Sequence, residues 1–95
     1  MTAQLRRYTV ADEAGLDRLA AWFPKLIPVR EKYGFTVEWA YADYENLQFV
    51  WLVSHDADFE AALVTYEPSP ERTAAFDGFD NPITDMTIAF VDKVA

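Results

Sequence analysis

His55 is the only histidine in the chain, and histidine alone has an unperturbed pKa near neutrality. It closes an apolar run, Phe49-Val50-Trp51-Leu52-Val53, and is followed by Asp56 and Asp58. A histidine held by a carboxylate at the mouth of an aromatic pocket would be a general base. The alternative is a strand-end histidine near solvent, with Asp56 capping the next helix. Arg6 and Tyr8 alternate onto one side of an extended segment, either as a pair that holds an oxyanion or as an edge arginine beside a core tyrosine. Glu38 lies among apolar neighbours; enclosed, its pKa would rise and it could shuttle protons, whereas at a sheet end it is solvated. The catalytic candidates are therefore His55, Arg6 and Tyr8.

Phe49 and Trp51 face Ala40 and Ala42 in the expected register, small residues against large ones. That arrangement suits either an aromatic-walled cavity for a flat apolar ligand or close interdigitation across an interface. Trp22, with Val29 and Tyr33, flanks the helix stripe and walls a pocket between helix and sheet, or edges the core. Tyr66, on the inner side of the second helix, completes a candidate ligand-binding set of Glu38, Phe49, Trp51, Trp22 and Tyr66. No metal or cofactor is expected. One histidine without cysteine excludes ordinary zinc and haem-degrading iron chemistry, except with His55 as a lone axial ligand. Asp77, Asp80, Asn81 and Asp85 miss the spacing of a calcium loop, and there is neither a glycine-rich phosphate loop nor a Gly-x-Ser-x-Gly elbow.

These side chains need a scaffold, and 95 residues make one domain, spanning 1–95. Apolar residues are 52% and aromatic residues 16%, enough for a core with aromatic surface left over for a partner or ligand. The net charge is −8, with nine acids and only Arg72 and Lys93 after residue 53. Nucleic-acid binding needs clustered lysine and arginine, so that class is excluded. No run approaches the roughly 20 apolar residues of a spanning helix, no secretory signal follows Arg6-Arg7, and no cysteine is present. The expectation is a cytoplasmic protein without nucleic-acid or membrane partners.

Residues 5–10 read as a first strand, with Arg6, Tyr8 and Val10 on one face. Acids at 12–13 open a helix carrying Leu16, Leu19, Ala20, Phe23, Leu26 and Ile27 as one stripe. Pro24 and Pro28 predict a kink near 23–28, and Tyr33-Gly34 ends the helix. Strands over 36–44 and 47–55 are joined by a tight turn at Glu45-Asn46. A two-residue turn pairs Ala40 with Trp51 and Ala42 with Phe49; any even loop keeps that facing and a bulge flips it. On this register Glu38 shares the face of Trp51 and His55, while Val37 lies opposite. A helix over 57–66, a short Ser69-capped helix to about 76 and a last strand over 83–93 complete the order.

Strand, helix, strand, strand, helix, strand is the ferredoxin-like pattern, α+β, with an antiparallel sheet and both helices on one face. The third strand is apolar on both faces, so it must be covered twice. The helices cover one face; a second copy of the chain is expected on the other.

Leu5-Arg6-Arg7-Tyr8-Thr9-Val10 resembles the opening strand of the NIPSNAP family, which favours an Arg-x-Tyr pair there. Pro28-x-x-x-x-Tyr33-Gly34-Phe35, Asn46-x-x-Phe49-Val50-Trp51-Leu52, Phe59-x-x-Ala62 and Tyr66-x-x-Ser69-Pro70-Glu71-Arg72 are similar to later family segments. The resemblance, over residues 5–76, implies a dimeric α/β barrel of two ferredoxin-like units with facing sheets. The wider group includes cofactor-free monooxygenases, cyclases and isomerases but shares no catalytic motif. Two functions are therefore expected: a homodimeric small-molecule-binding or assembly module with an aromatic-lined barrel that takes a small apolar or aromatic molecule, or a cofactor-independent monooxygenase, isomerase or cyclase acting on an aromatic or enolisable one.

Overall fold

In the computed structural model, which describes residues 1–95, β1 (Thr2–Val10) opens the chain. Asp12 then caps α1 (Glu13–Trp22), its side chain accepting from the Gly15 amide at 2.7 Å. Pro24 cannot donate to the preceding turn. The helix tightens there into one 3-10 turn, Phe23–Lys25, and resumes as α2 (Ile27–Lys32) with Pro28 in its first turn. Gly34 takes φ +87° and releases the chain into β2 (Phe35–Asp43). After β3 (Gln48–His55), α3 (Phe59–Tyr66) starts two residues later than the sequence suggests. Its cap is Asp58 rather than Asp56, because only Asp58 reaches a first-turn amide, that of Ala61 at 3.0 Å. Ser69 caps α4 (Pro70–Phe76), and β4 (Ile83–Val91) ends the fold.

The four strands form one antiparallel sheet in the order β2-β3-β1-β4. With both crossovers on one side, this is the expected ferredoxin-like arrangement. The β2–β3 loop is four residues, not two, yet Ala40 still faces Trp51 and Ala42 faces Phe49 because its length is even. Further along, the expectation fails. The register slips between Val37 and Trp39, so Val37 lies opposite Val53 and Trp39 opposite Leu52. Glu38 is the extra residue of this bulge. Phe35 and Val37 turn under the helices, and the Glu38 carboxylate goes to the other face, where it accepts from Ser54 Oγ at 2.7 Å.

The core lies between the helices and the β2-β3-β1 part of the sheet. Trp51 and Val53 are sealed beneath Phe23, whose ring lies 5.0 Å from Trp51 and 4.8 Å from Phe49. Removing a ring buried this fully costs roughly 3–5 kcal/mol. Residues 84–90 of β4 are exposed on both faces, for the helix layer stops short of them. The molecule is a slab of 36 × 35 × 18 Å with only 19 of its 95 residues buried. That is a thin core for so apolar a chain.

Candidate functional site

The registers set one row of side chains on the helix side of the sheet: Ile88 on β4, Arg6 on β1, Trp51 on β3 and Ala40 on β2. Arg6 is half-buried and oriented by its neighbours along β1. Its Nε donates to Tyr8 Oη at 2.7 Å, and its Nη1 to Gln4 Oε1 at 2.8 Å. Its guanidinium carbon stands 5.5 Å from the Trp51 ring. The expected Arg6–Tyr8 pairing is thus a real contact. Ala40, by contrast, is exposed on the edge strand, and Phe49 packs against Phe23, so no cavity opens between the alanines and the rings.

Arg30 stands behind that row. It belongs to α2 and is 4% exposed. Its guanidinium lies 4.3 Å from the Tyr66 ring and 5.1 Å from those of Trp51 and Phe35. Aromatic faces partly replace the lost hydration, yet burial pushes the Arg30 guanidinium down to about 10, with nearby Arg6 adding to the effect and Tyr66 opposing it. No carboxylate answers it. The two ion pairs, Arg18–Asp80 and Lys32–Glu71, involve neither arginine of this cluster. Four buried polar atoms of Arg30 and of the two rings beside it have no hydrogen-bond partner: Arg30 Nε and Nη1, Trp51 Nε1 and Tyr66 Oη. Most buried polar groups are paired, so this concentration of free donors sets the place apart.

Sequence reasoning placed Trp51, Tyr66, Arg6 and Tyr8 among the candidates and passed over Arg30. A signal existed: Leu16, Leu19, Phe23, Leu26 and Arg30 follow one another at three- and four-residue steps, so the arginine continues an apolar stripe.

The other candidates lie apart. His55 pairs with Thr2 whereas Arg6 pairs with Trp51, a four-residue separation of about 13 Å along the sheet. The Ala57 amide donates to His55 Nδ1 at 3.0 Å, which leaves the proton on Nε2, where it is given to the Tyr33 carbonyl at 3.2 Å. With both nitrogens engaged, the ring ties the end of β3 to the α2–β2 turn. Glu38, displaced by the bulge, faces away from this cluster. Trp22 donates from Nε1 to the Ala75 carbonyl at 2.8 Å and stacks on Phe79 at 4.1 Å, joining α1 to the loop after α4.

Glu38 instead borders a groove of about 490 Å³ on the uncovered face, lined by Ala3, Leu5, Trp39, Leu52 and Val91 among others. Leu52 and Leu5 are directly paired at its floor, and Trp39 is exposed at its rim. No helix of the chain is long and apolar enough to cross a membrane.

A two-layer ferredoxin-like domain with one sheet face free of helices and a buried cationic cluster is the class these features define. No protein-family model matches the sequence, nor does any curated protein. Among solved structures, the chain is similar to an uncharacterised NIPSNAP domain protein from Burkholderia xenovorans, at 13% identity and a TM-score of 0.78, over 100% of this chain and 96% of that one. A NIPSNAP family protein of unknown function from Agrobacterium tumefaciens matches at 10% identity and 0.74, over 96% and 86%. An antibiotic biosynthesis monooxygenase matches at 14% and 0.69 over the whole of both chains. The resemblance to NIPSNAP proteins read from the sequence is thus matched across the whole fold; at these identities, the likeness establishes the fold alone.

Proposed function

We propose that this chain is a homodimeric small-molecule-binding module whose protomers meet through their open sheet faces. The observation that carries the reading is the apolar groove on that face, floored by Leu5 and Leu52 and edged by Trp39. No helix of the same chain covers it, only the chain ends at Met1, Asp92, Lys93 and Ala95 border it beyond the sheet itself, and only a fifth of the residues are buried. A second copy supplies a layer of matching shape and period, since an isologous contact sets the same patch against itself. The net charge of −8 keeps such a dimer soluble. Sedimentation equilibrium at micromolar concentration tests it: a mass of twice 10.9 kDa is expected, and a stable single-copy particle removes the reading.

A second reading, a cofactor-independent monooxygenase, isomerase or cyclase, is favoured by one observation. The Arg6–Tyr8 hydrogen bond of 2.7 Å fixes two donors side by side where an oxyanion could be held. His55 has no free nitrogen to serve it as base. Turnover of an aromatic or enolisable compound that survives His55→Gln and is lost in Tyr8→Phe supports this reading; absence of turnover across such a panel leaves binding as the function.

A further inference from the structure

The cluster around Arg30 holds a buried cation, a second arginine beside it, and unpaired N–H and O–H groups, with no anion among its neighbours. A buried charge left uncompensated is strongly destabilising. A fold that retains one has reason to meet the missing anion elsewhere. The donors determine its chemistry: a guanidinium fork offers two parallel N–H groups, the arrangement that fits a carboxylate.

The sheet shows from which side it would come. Across the strands the row runs Ile88, Arg6, Trp51, with Arg30 over Trp51, so Arg6 stands between Arg30 and the edge. Beyond Arg6 lie Met86, Ile88 and Phe90, paired with Tyr8, Arg6 and Gln4 and hence on the same helix-side face. All three are about half-exposed. Phe59 of α3 leans over the end of this strip, 5.4 Å from Phe90. The strip spans four residue steps, about 13 Å. A surface that is apolar along its length and cationic at its inner border matches an amphipathic acid.

We propose that Arg30, with Arg6 at its entrance and the Trp51 and Tyr66 donors around it, receives the carboxylate of a small organic acid whose apolar body lies along Met86, Ile88 and Phe90. The proposal rests on the small-molecule-binding reading and gives it a ligand class. Arg6 is half-buried, and its hydrogen bonds are to the side chains of Gln4 and Tyr8 of its own strand, so it can turn aside to admit the head group. Arg30 supplies the charge behind it.

Calorimetric titration of the wild-type chain with octanoate and 3-phenylpropanoate, against 1-octanol and 3-phenylpropanol, tests this. The acids are expected to bind at least tenfold more tightly than the alcohols, and Arg30→Met is expected to abolish that preference. Equal binding of acid and alcohol, an unchanged preference in Arg30→Met, or no binding of either acid at millimolar concentration each overturns the proposal. If Arg30→Met does not fold, Arg6→Met gives the same comparison at a half-exposed position, with a loss of preference expected and its retention fatal. Sedimentation of the same samples keeps the two ideas apart. A dimer that binds octanol as well as octanoate sinks the acid site alone, whereas a monomer that prefers octanoate sinks the assembly alone.

Discussion

Gly34 and His55 approach so closely that a Cβ on the glycine would lie 2.7 Å from His55 Nε2. The same nitrogen donates to the carbonyl of Tyr33, one residue earlier. Gly34→Ala therefore meets two obstacles: a φ of +87° that disfavours a side chain and an imidazole that must leave its hydrogen bond. The expected cost is roughly 2–4 kcal/mol, read from urea unfolding. Removing the imidazole relieves the second obstacle but not the first. In a double-mutant cycle with His55→Ala, the two losses should thus fall short of additivity by about 1 kcal/mol. Strict additivity would mean that the ring is not what the new methyl meets.

The uncovered sheet face gives a sharper test of assembly. Leu52 pairs with Leu5 on one side and Trp39 on the other, so a carboxylate there lies in the middle of the proposed contact. Leu52→Glu is expected to raise the dimer dissociation constant at least a hundredfold, about 3 kcal/mol, with little change in far-UV circular dichroism. Val64→Glu, on a residue 75% exposed on α3, serves as control and should leave the dimer intact. Should both variants sediment like the wild type, the face is not an interface.

How much of this was legible in the sequence varies from strand to strand. The side chains of β1 and β3 sort into two faces by the two-residue period. Both faces of β3 are apolar, however, so residue type did not say that Phe49 and Trp51 lie under the helices rather than at an interface. The β2–β3 pairing survived a longer loop because only its parity matters. β2 could not be read through. Thr36-Val37-Glu38-Trp39 alternates smoothly in sequence, and a bulge leaves no mark in residue type, yet it moves Glu38 to the opposite face from Trp51. His55 was recognisable as a strand-end residue, but its partners are backbone atoms of Tyr33 and Ala57, which no side-chain pattern announces. Arg30 is a charged type that belongs in solvent by composition, whereas its spacing sets it on the buried stripe.

Glu71 ties α4 to the end of α2. Its carboxylate takes a hydrogen bond from Lys32 Nζ at 2.7 Å and another from Tyr33 Oη at 3.0 Å. Lys32, and then the Glu71 backbone amide and the Tyr33 hydroxyl, hold its carboxyl below the usual 4.5. A folded-state value lower than the unfolded one contributes stability that is complete above about 4.5 and fades as pH falls through the folded value. Wild-type stability should thus drop on acidification below pH 4.5 more steeply than that of Glu71→Gln. Urea midpoints measured from pH 6 to pH 2.5 report the difference. Parallel curves would show that the Lys32–Glu71–Tyr33 contact contributes nothing to the acid limb.

Arg30 carries the opposite sign, and Tyr66 shows why the two must be judged together. Burial brings the guanidinium down from its ordinary value to about 10, so below pH 10 the folded state holds a charge that the unfolded chain holds more easily. That penalty eases only as pH climbs above about 10 toward the range where a free guanidinium titrates. In the protein without ligand, Arg30→Met should therefore be neutral or stabilising at pH 7, by up to about 3 kcal/mol, and its advantage should narrow by pH 11. Tyr66→Phe removes a buried hydroxyl that has no partner and should cost nothing or gain up to about 1 kcal/mol. Thermal unfolding at pH 7 and pH 11 measures both. If either variant is instead destabilised by more than 2 kcal/mol, the cluster holds the fold together, and its unpaired donors are not waiting for an anion.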